Sequence, residues 1–473
     1  MNNRQLRPSF GRRSFSQIGL IMMAILLIII AAASGLVYPS PYSPLIVGGV
    51  VAAAAILVFL FREPIWALYA ALFVVLLPSG LIPLQLNSIL NRSFAVVALF
   101  TWMFNVIVRR QRVTWTWTTL LMLAFILWSG ITLFWAGNPG IAITSLQVYT
   151  LRLALFLFLL LNEIKTKENL NGMMNVLAIS GWVIALVGVG TFLFLGYTPG
   201  TRFQVLGENA NGLGILLLVT MPAVFWQAMH PARRHKMLMI FLASVFLLLT
   251  IGLVAASGSR GSAISLLITL FAFWFWKSTR LWGMIALLIL MLAVIVAPFI
   301  FITTIQRFAV TPGDTLLGGR ETLWQAGWSL ISNNPWLGVG IGNSPNALVT
   351  NLGIVGDIEG QGGISMHNPI LTIWSETGII GILLYLGVLA SAIWSFVRDY
   401  YRYKSRGIQY LMPYFALITA VSLGFMASWF KGGGLESDFT YFLMLAFLLI
   451  PSGLDIKGSE RNIGIDTQVS DKG

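Results

Sequence analysis

The run RRHK at 233–236, MLMIFLASVFLLLTIGLVAA at 237–256 and SGSRGS at 257–262 decides how the whole chain is built. Its middle section is long enough to carry an α-helix across the hydrocarbon core of a bilayer, which takes about 20 apolar residues. A basic cluster stands before it, and a turn of small residues with a single arginine follows. Lys and Arg collect in cytoplasmic loops, so this one stretch gives a span and its direction.

Working outward, the same pattern repeats. Apolar segments fall at about 17–38, 44–61, 64–84, 89–108, 118–135, 145–161, 173–196, 209–229, 237–256, 262–276, 281–301, 369–396, 411–430 and 438–452. They lack the alternation of a membrane barrel, and lipid-facing backbone must be satisfied within each segment, so they are helices. The expected fold is an all-α polytopic membrane protein with about 12–14 transmembrane helices, the segments at 262–276 and 438–452 being short for a span. With 57% hydrophobic and 10% charged residues, the chain lies outside the soluble range. Arg4, Arg7, Arg12 and Arg13 precede the first apolar segment, which is read as a retained span rather than a cleaved signal. The chain contains no cysteine, which excludes disulfides and thiolate metal ligands.

The net charge of +13 is topological. Of 29 Lys and Arg residues, 22 fall in the terminal tails and in alternate loops: Arg62, Arg109 to Arg112, Lys165 and Lys167, Arg233 to Lys236, Lys277 and Arg280, and Arg398 to Arg406. Strict alternation places both termini in the cytoplasm and argues against a nucleic-acid face. It divides the chain into an N-terminal transmembrane bundle (1–301), a long external insert (302–368), C-terminal transmembrane helices (369–452) and a disordered cytoplasmic tail (453–473).

External basic residues are few: Arg92, Arg202, Arg260, Arg307, Arg320 and Lys431. For Arg92, Arg307 and Lys431, lipid headgroups or the carboxylates Glu208, Asp314, Glu321 and Glu436 are the expected partners. Arg260 is different, because the turn Ser257 to Ser262 lets backbone amides and a guanidinium approach an anion closely. Arg152 lies roughly 10 Å into its helix, where a charge must face the bundle interior or a wet cavity. Arg320 opens an amphipathic segment whose Trp324 and Trp328 are expected in the membrane interface. Guanidinium forks match phosphate oxygens, which makes a pyrophosphate the natural ligand.

His367 is the only external histidine, and it stands at the outer end of a long helix in the compartment of these arginines. That gives a proton acceptor beside an anion site. Glu376 lies two and a half turns further on, facing a different direction, and is read as structural. The glycine-rich run Asn334 to Asn343 lacks a Walker lysine and reads as a tight external turn. Glu208-Asn209-Ala210-Asn211-Gly212 opens a helix whose amide ends face outward.

Taken together, Arg320-xxx-Trp324, Asn334-Pro335-xx-Gly338-x-Gly340 and His367-Asn368 with Glu376-x-Gly378-xx-Gly381 resemble the O-antigen ligase and polymerase superfamily. The resemblance covers about 200–396, including Asn209-x-Asn211-Gly212 and Ser259-Arg260-Gly261. It implies a metal-independent, inverting glycosyltransferase of the bacterial cytoplasmic membrane that needs no cofactor. The donor would be an undecaprenyl-pyrophosphate-linked glycan, and the acceptor a glycan, lipid A-core or another hydroxyl. His367 would be the general base, with Arg260 and Arg320 on the pyrophosphate and Arg152, Arg202, Asn211, Trp324 and Asn368 lining the substrate site. A ligase leads; a polysaccharide polymerase or protein O-oligosaccharyltransferase shares the donor chemistry. An anion transporter, as for bicarbonate, is the alternative of another class, and membrane lipids surround any of them.

Overall fold

The computed structural model describes residues 56, 58–81, 84–205, 209–229, 235–309, 320–351, 365–429 and 439–455. The span expected at 17–38, most of that at 44–61, the carboxylates Glu208, Asp314 and Glu436, Lys431, and the tail beyond 455 lie outside these residues. Everything described is helix or connection, with no β-sheet. In chain order the helices are α1 (Pro64–Leu76), α2 (Leu84–Arg109), α3 (Trp117–Ile131), α4 (Pro139–Arg152) and α5 (Lys167–Phe194). Then come α6 (Ala210–Met229), α7 (Lys236–Ser257), α8 (Arg260–Ala272), α9 (Arg280–Val296) and α10 (Pro298–Phe308). The last five are α11 (Arg320–Asn333), α12 (Ser344–Asn351), α13 (Pro369–Ser405), α14 (Met412–Trp429) and α15 (Phe439–Gly453).

Among the described residues, eight helices are long and apolar enough to cross a membrane, and α9 with α10 forms a ninth, bent candidate. Three shorter apolar helices accompany them, at Pro64–Leu76, Arg260–Phe275 and Phe439–Gly453. The protein is a polytopic, all-α membrane protein. Two expected spans are drawn differently. The segment at 64–84 supplies only the 13 residues of α1 as continuous α-helix. The segment at 281–301 breaks at Ala297, where the chain turns by 98°. Pro298 explains the break: it offers no N–H and disfavours helical geometry at the residue before it, and Ala297 sits at φ −131°, ψ 54°. The sequence-drawn insert boundary at 302 therefore falls inside a helix, α10.

The chain divides into two compact units, residues to Ala71 with Arg92–Val113, and Leu72–Asn91 with Thr114 onward. In the first, the buried Asn105 amide donates to Phe61 O at 3.0 Å and Thr101 O at 2.8 Å. Its polar head is thereby satisfied in an apolar setting.

In the second unit α6 is the central post. It is buried along most of its length and is flanked by α5, α7, α8 and α14. Small residues let these helices approach: a methyl group added at Gly424 in α14 would overlap Thr269 Oγ1 of α8. That is how spans associate where lipid removes the hydrophobic drive between helices. A second layer joins α13 to α3, α15 and α11.

α13 is interrupted at Gly378 (φ 67°, ψ −169°). A break inside a span frees backbone groups that water cannot satisfy. Here the glycine-rich turn of the insert supplies their partners. Ile379 N, which would ordinarily donate to Ser375 O, donates to Pro335 O at 3.0 Å. Val339 N takes Ser375 O at 2.8 Å, Gly340 N takes Glu376 O at 2.9 Å, and Trp128 Nε1 takes Thr377 O at 2.8 Å. Gly338 and Gly340 adopt φ of 70° and 94°, and a Cβ on Gly338 would stand 2.5 Å from the Glu376 carbonyl, so glycine is required for this close approach. The turn is tied to α3 and α4 as well, through Ile341 N to Thr132 Oγ1 (3.0 Å) and Asn138 N to Asn343 Oδ1 (2.7 Å).

Candidate functional site

Three pieces of chain meet around the arginines. The first is the α7–α8 turn. Gly258 (φ 61°) ends α7 in the left-handed conformation, and Ser259 caps α8, its Oγ accepting from Ser262 N at 3.2 Å. Arg260 is thereby fixed as the first residue of α8, half-buried. The second is the start of α6. Asn209 Oδ1 accepts Asn211 N at 3.0 Å, and Asn211 Oδ1 in turn accepts from Ser259 Oγ at 2.7 Å and from an Arg202 terminal nitrogen at 3.1 Å. One amide oxygen thus links Arg202 to the turn that bears Arg260. The third is α10. Thr303 Oγ1 hydrogen-bonds Tyr197 OH (2.6 Å) and accepts Gly200 N (3.0 Å), while Thr304 Oγ1 donates to Ala255 O (2.6 Å). The bend at Ala297 brings Thr303 and Arg307 against Gly258, so Arg307 joins the group.

The charges reinforce one another. Arg202 has its guanidinium partly withdrawn from water and lies within electrostatic reach of Arg307 and Arg320; burial first, and then these two charges, lower its pKa. Burial also lowers that of Arg320. Both remain charged at neutral pH. Arg398 and Arg402 form ion pairs with Asp399 at the far end of α13. A concentrated positive field in a partly dry setting is suited to a multiply charged anion.

His367 stands beside this field. It sits in the left-handed region (φ 50°), uncommon outside glycine, and its N–H donates to Ser365 Oγ at 3.2 Å. Flanking contacts hold it there. Met366 is buried against α11, with Trp324 Nε1 donating to Met366 O at 3.0 Å. On the other side Asn368 Oδ1 caps α13, accepting Ile370 N (3.1 Å) and Leu371 N (3.3 Å). Burial, and secondarily the charge of Arg320, push the His367 pKa below its ordinary 6.5. The imidazole is therefore neutral at pH 7, in the proton-accepting form.

Of the residues singled out from sequence, these contacts gather Arg202, Asn211, Arg260, Arg320, Trp324, His367 and Asn368. The partly buried indole of Trp324 packs against the cluster of Ala326, Leu330, Ile331, Leu348 and Met366. Trp328 stays half-exposed, edge-on to Trp374. Asn368 spends its side-chain oxygen on the helix cap. Arg152 has no part in the contacts above; it closes α4 half-buried, where the helix widens into π geometry over Leu153–Leu159. Arg307, expected to meet lipid headgroups or carboxylates, is carried to the others by the bend at Ala297. Among the described residues no three His, Asp or Glu side chains gather as a metal-ligand set.

Residues 243–386 match the family model described as O-antigen ligase. This region belongs to the O-antigen ligase superfamily. No curated protein matches the chain. The matched region runs from α7 to the middle of α13, so it includes Arg260, Arg307, Arg320, His367, the glycine-rich turn and the break at Gly378; Arg202 and Asn211 lie before it. Membership supports, in general terms, a ligase-like or polymerase-type function, a glycosyltransferase-like activity, and lipid-linked glycan and acceptor partners.

Proposed function

We propose that this protein transfers a glycan from undecaprenyl pyrophosphate to an acceptor hydroxyl at the outer face of the bacterial cytoplasmic membrane. The observation that carries the reading is the placement of a neutral-leaning imidazole, His367, within the field of Arg320, with Arg202, Arg307 and the Arg260 turn beside it. In this reading His367 accepts the proton of the acceptor hydroxyl as its oxygen attacks the anomeric carbon. The bond to the carrier pyrophosphate breaks as the glycosidic bond forms, and attack from the opposite side inverts the centre. Arg320 and Arg260 stabilise the charge gathering on the departing pyrophosphate, as oriented cations do in a site shielded from water. The residues present account for both needs of the transfer, a base and a cationic leaving-group clamp.

Ligase and polymerase share this chemistry and differ in the acceptor. The test is an assay of purified protein with lipid-pyrophosphate glycan and candidate acceptors. Release of carrier pyrophosphate coupled to acceptor glycosylation is expected, with loss of at least a hundredfold in folded His367→Ala and Arg320→Ala variants. Accumulation of an anion in proteoliposomes without glycan transfer would overturn the reading.

A further inference from the structure

At the end of α13 away from His367, an apolar groove of about 390 Å³ runs between α13, α14 and α15. Its walls include Leu389, Ile393 and Val397 of α13, Leu423 of α14 and Leu448 of α15, with the rings of Trp276 and Tyr400 at one end. Beyond the break at Gly378, α13 covers roughly 33 Å to Tyr400, close to the roughly 30 Å thickness of the hydrocarbon core, so these rings lie at the opposite end of the span from the candidate site. Leu389 to Tyr401 covers roughly 18 Å along α13, so the groove runs from that face toward the middle of the bilayer.

The aromatic end carries positive charge. Trp276 meets Tyr400 edge-on at 5.1 Å, and the Lys404 ammonium sits over the Tyr400 ring, 5.4 Å from its centre. Lys277 follows Trp276 directly, and half-exposed Arg398 lies next to the groove-lining Val397. Asp399, fully buried, is shared by Arg398 and Arg402. An aliphatic channel with a cationic, aromatic mouth at a bilayer surface is complementary to a single ligand class. We propose that it binds one acyl chain of an anionic phospholipid, with the headgroup phosphate held at Lys404 and Lys277. The chain fills the groove along α13, and the aromatic pair brackets the glycerol level, where indole and phenol rings favour residence.

The test is native mass spectrometry of the full-length protein, titrated with phosphatidylglycerol and with phosphatidylcholine of identical chains. The first phosphatidylglycerol should bind roughly fivefold more tightly or better, the preference expected from about one well-placed cation. Lys404→Gln should reduce that preference while leaving phosphatidylcholine binding unchanged. Leu423→Trp, on a half-exposed groove wall, should abolish the tight adduct; Ile393→Trp serves if that variant does not fold. Equal affinity for the two lipids, or retention of the adduct in both tryptophan variants, would overturn the proposal. So would disulfide-linked dimers from Leu423→Cys in native membranes, which would assign the groove to a second copy of the chain.

Discussion

Ser344 Oγ donates to the buried carboxylate of Glu376 at 2.6 Å, fastening the first residue of α12 to the part of α13 that begins next to His367. Glu376 and Gly340 also share a backbone bond, so the insert grips α13 through side chain and main chain at one level. Ser344→Ala removes a donor from a buried acceptor, a change that costs about 1–3 kcal/mol. A lower melting temperature in detergent is expected, and Ser344→Thr, which keeps the hydroxyl, should recover part of it.

Gly378→Ala should be far more damaging. The new methyl would overlap the Trp336 carbonyl oxygen, and alanine resists a φ of 67°. Loss of several kcal/mol, or failure to accumulate folded protein, is the expected outcome. Gly190→Ala provides the contrast, because a methyl there meets nothing within 4 Å on a helical backbone. That substitution should leave the melting temperature unchanged or raise it slightly.

The lowered pKa of His367 has a definite sign. Between its native value and 6.5, the unfolded chain takes up a proton that the native site resists, so stability falls as pH drops from 6.5 through the native value. The acid limb of activity should lie below pH 6.5. Arg320→Gln removes the electrostatic part of the shift and leaves burial, so the limb should move upward without reaching 6.5. Carbethoxylation of His367 followed across pH by peptide mapping reads the same titration without a glycan substrate.

Asn211→Ala deletes the acceptor shared by Arg202 and Ser259, which should loosen both the guanidinium and the α8 cap. A stability loss of about 1 kcal/mol is expected from the hydrogen bonds. The accompanying fall in affinity for an anionic donor should appear mainly in KM, because Arg202 is proposed to bind the donor and not to take part in the proton transfer. A fall in kcat with KM unchanged would place Asn211 in the chemistry instead.

The membrane class, the helical fold and most spans were decided by the sequence, because a hydrocarbon solvent tolerates only long apolar segments with internally bonded backbone. His367 and the arginine turn stand out in the sequence as candidates, since charge is sparse in this chain. What tertiary structure alone decided is which cations converge. Arg307 reaches the group only because the chain bends at Ala297, where Pro298 acts on the preceding residue inside an apolar run that otherwise reads as a single span. Trp324 turns inward because Met366, 42 residues on, offers a carbonyl to its indole. The glycine-rich turn has a partner for the same kind of reason: a break at Gly378, far along the chain, leaves carbonyls that only another segment's amides can satisfy.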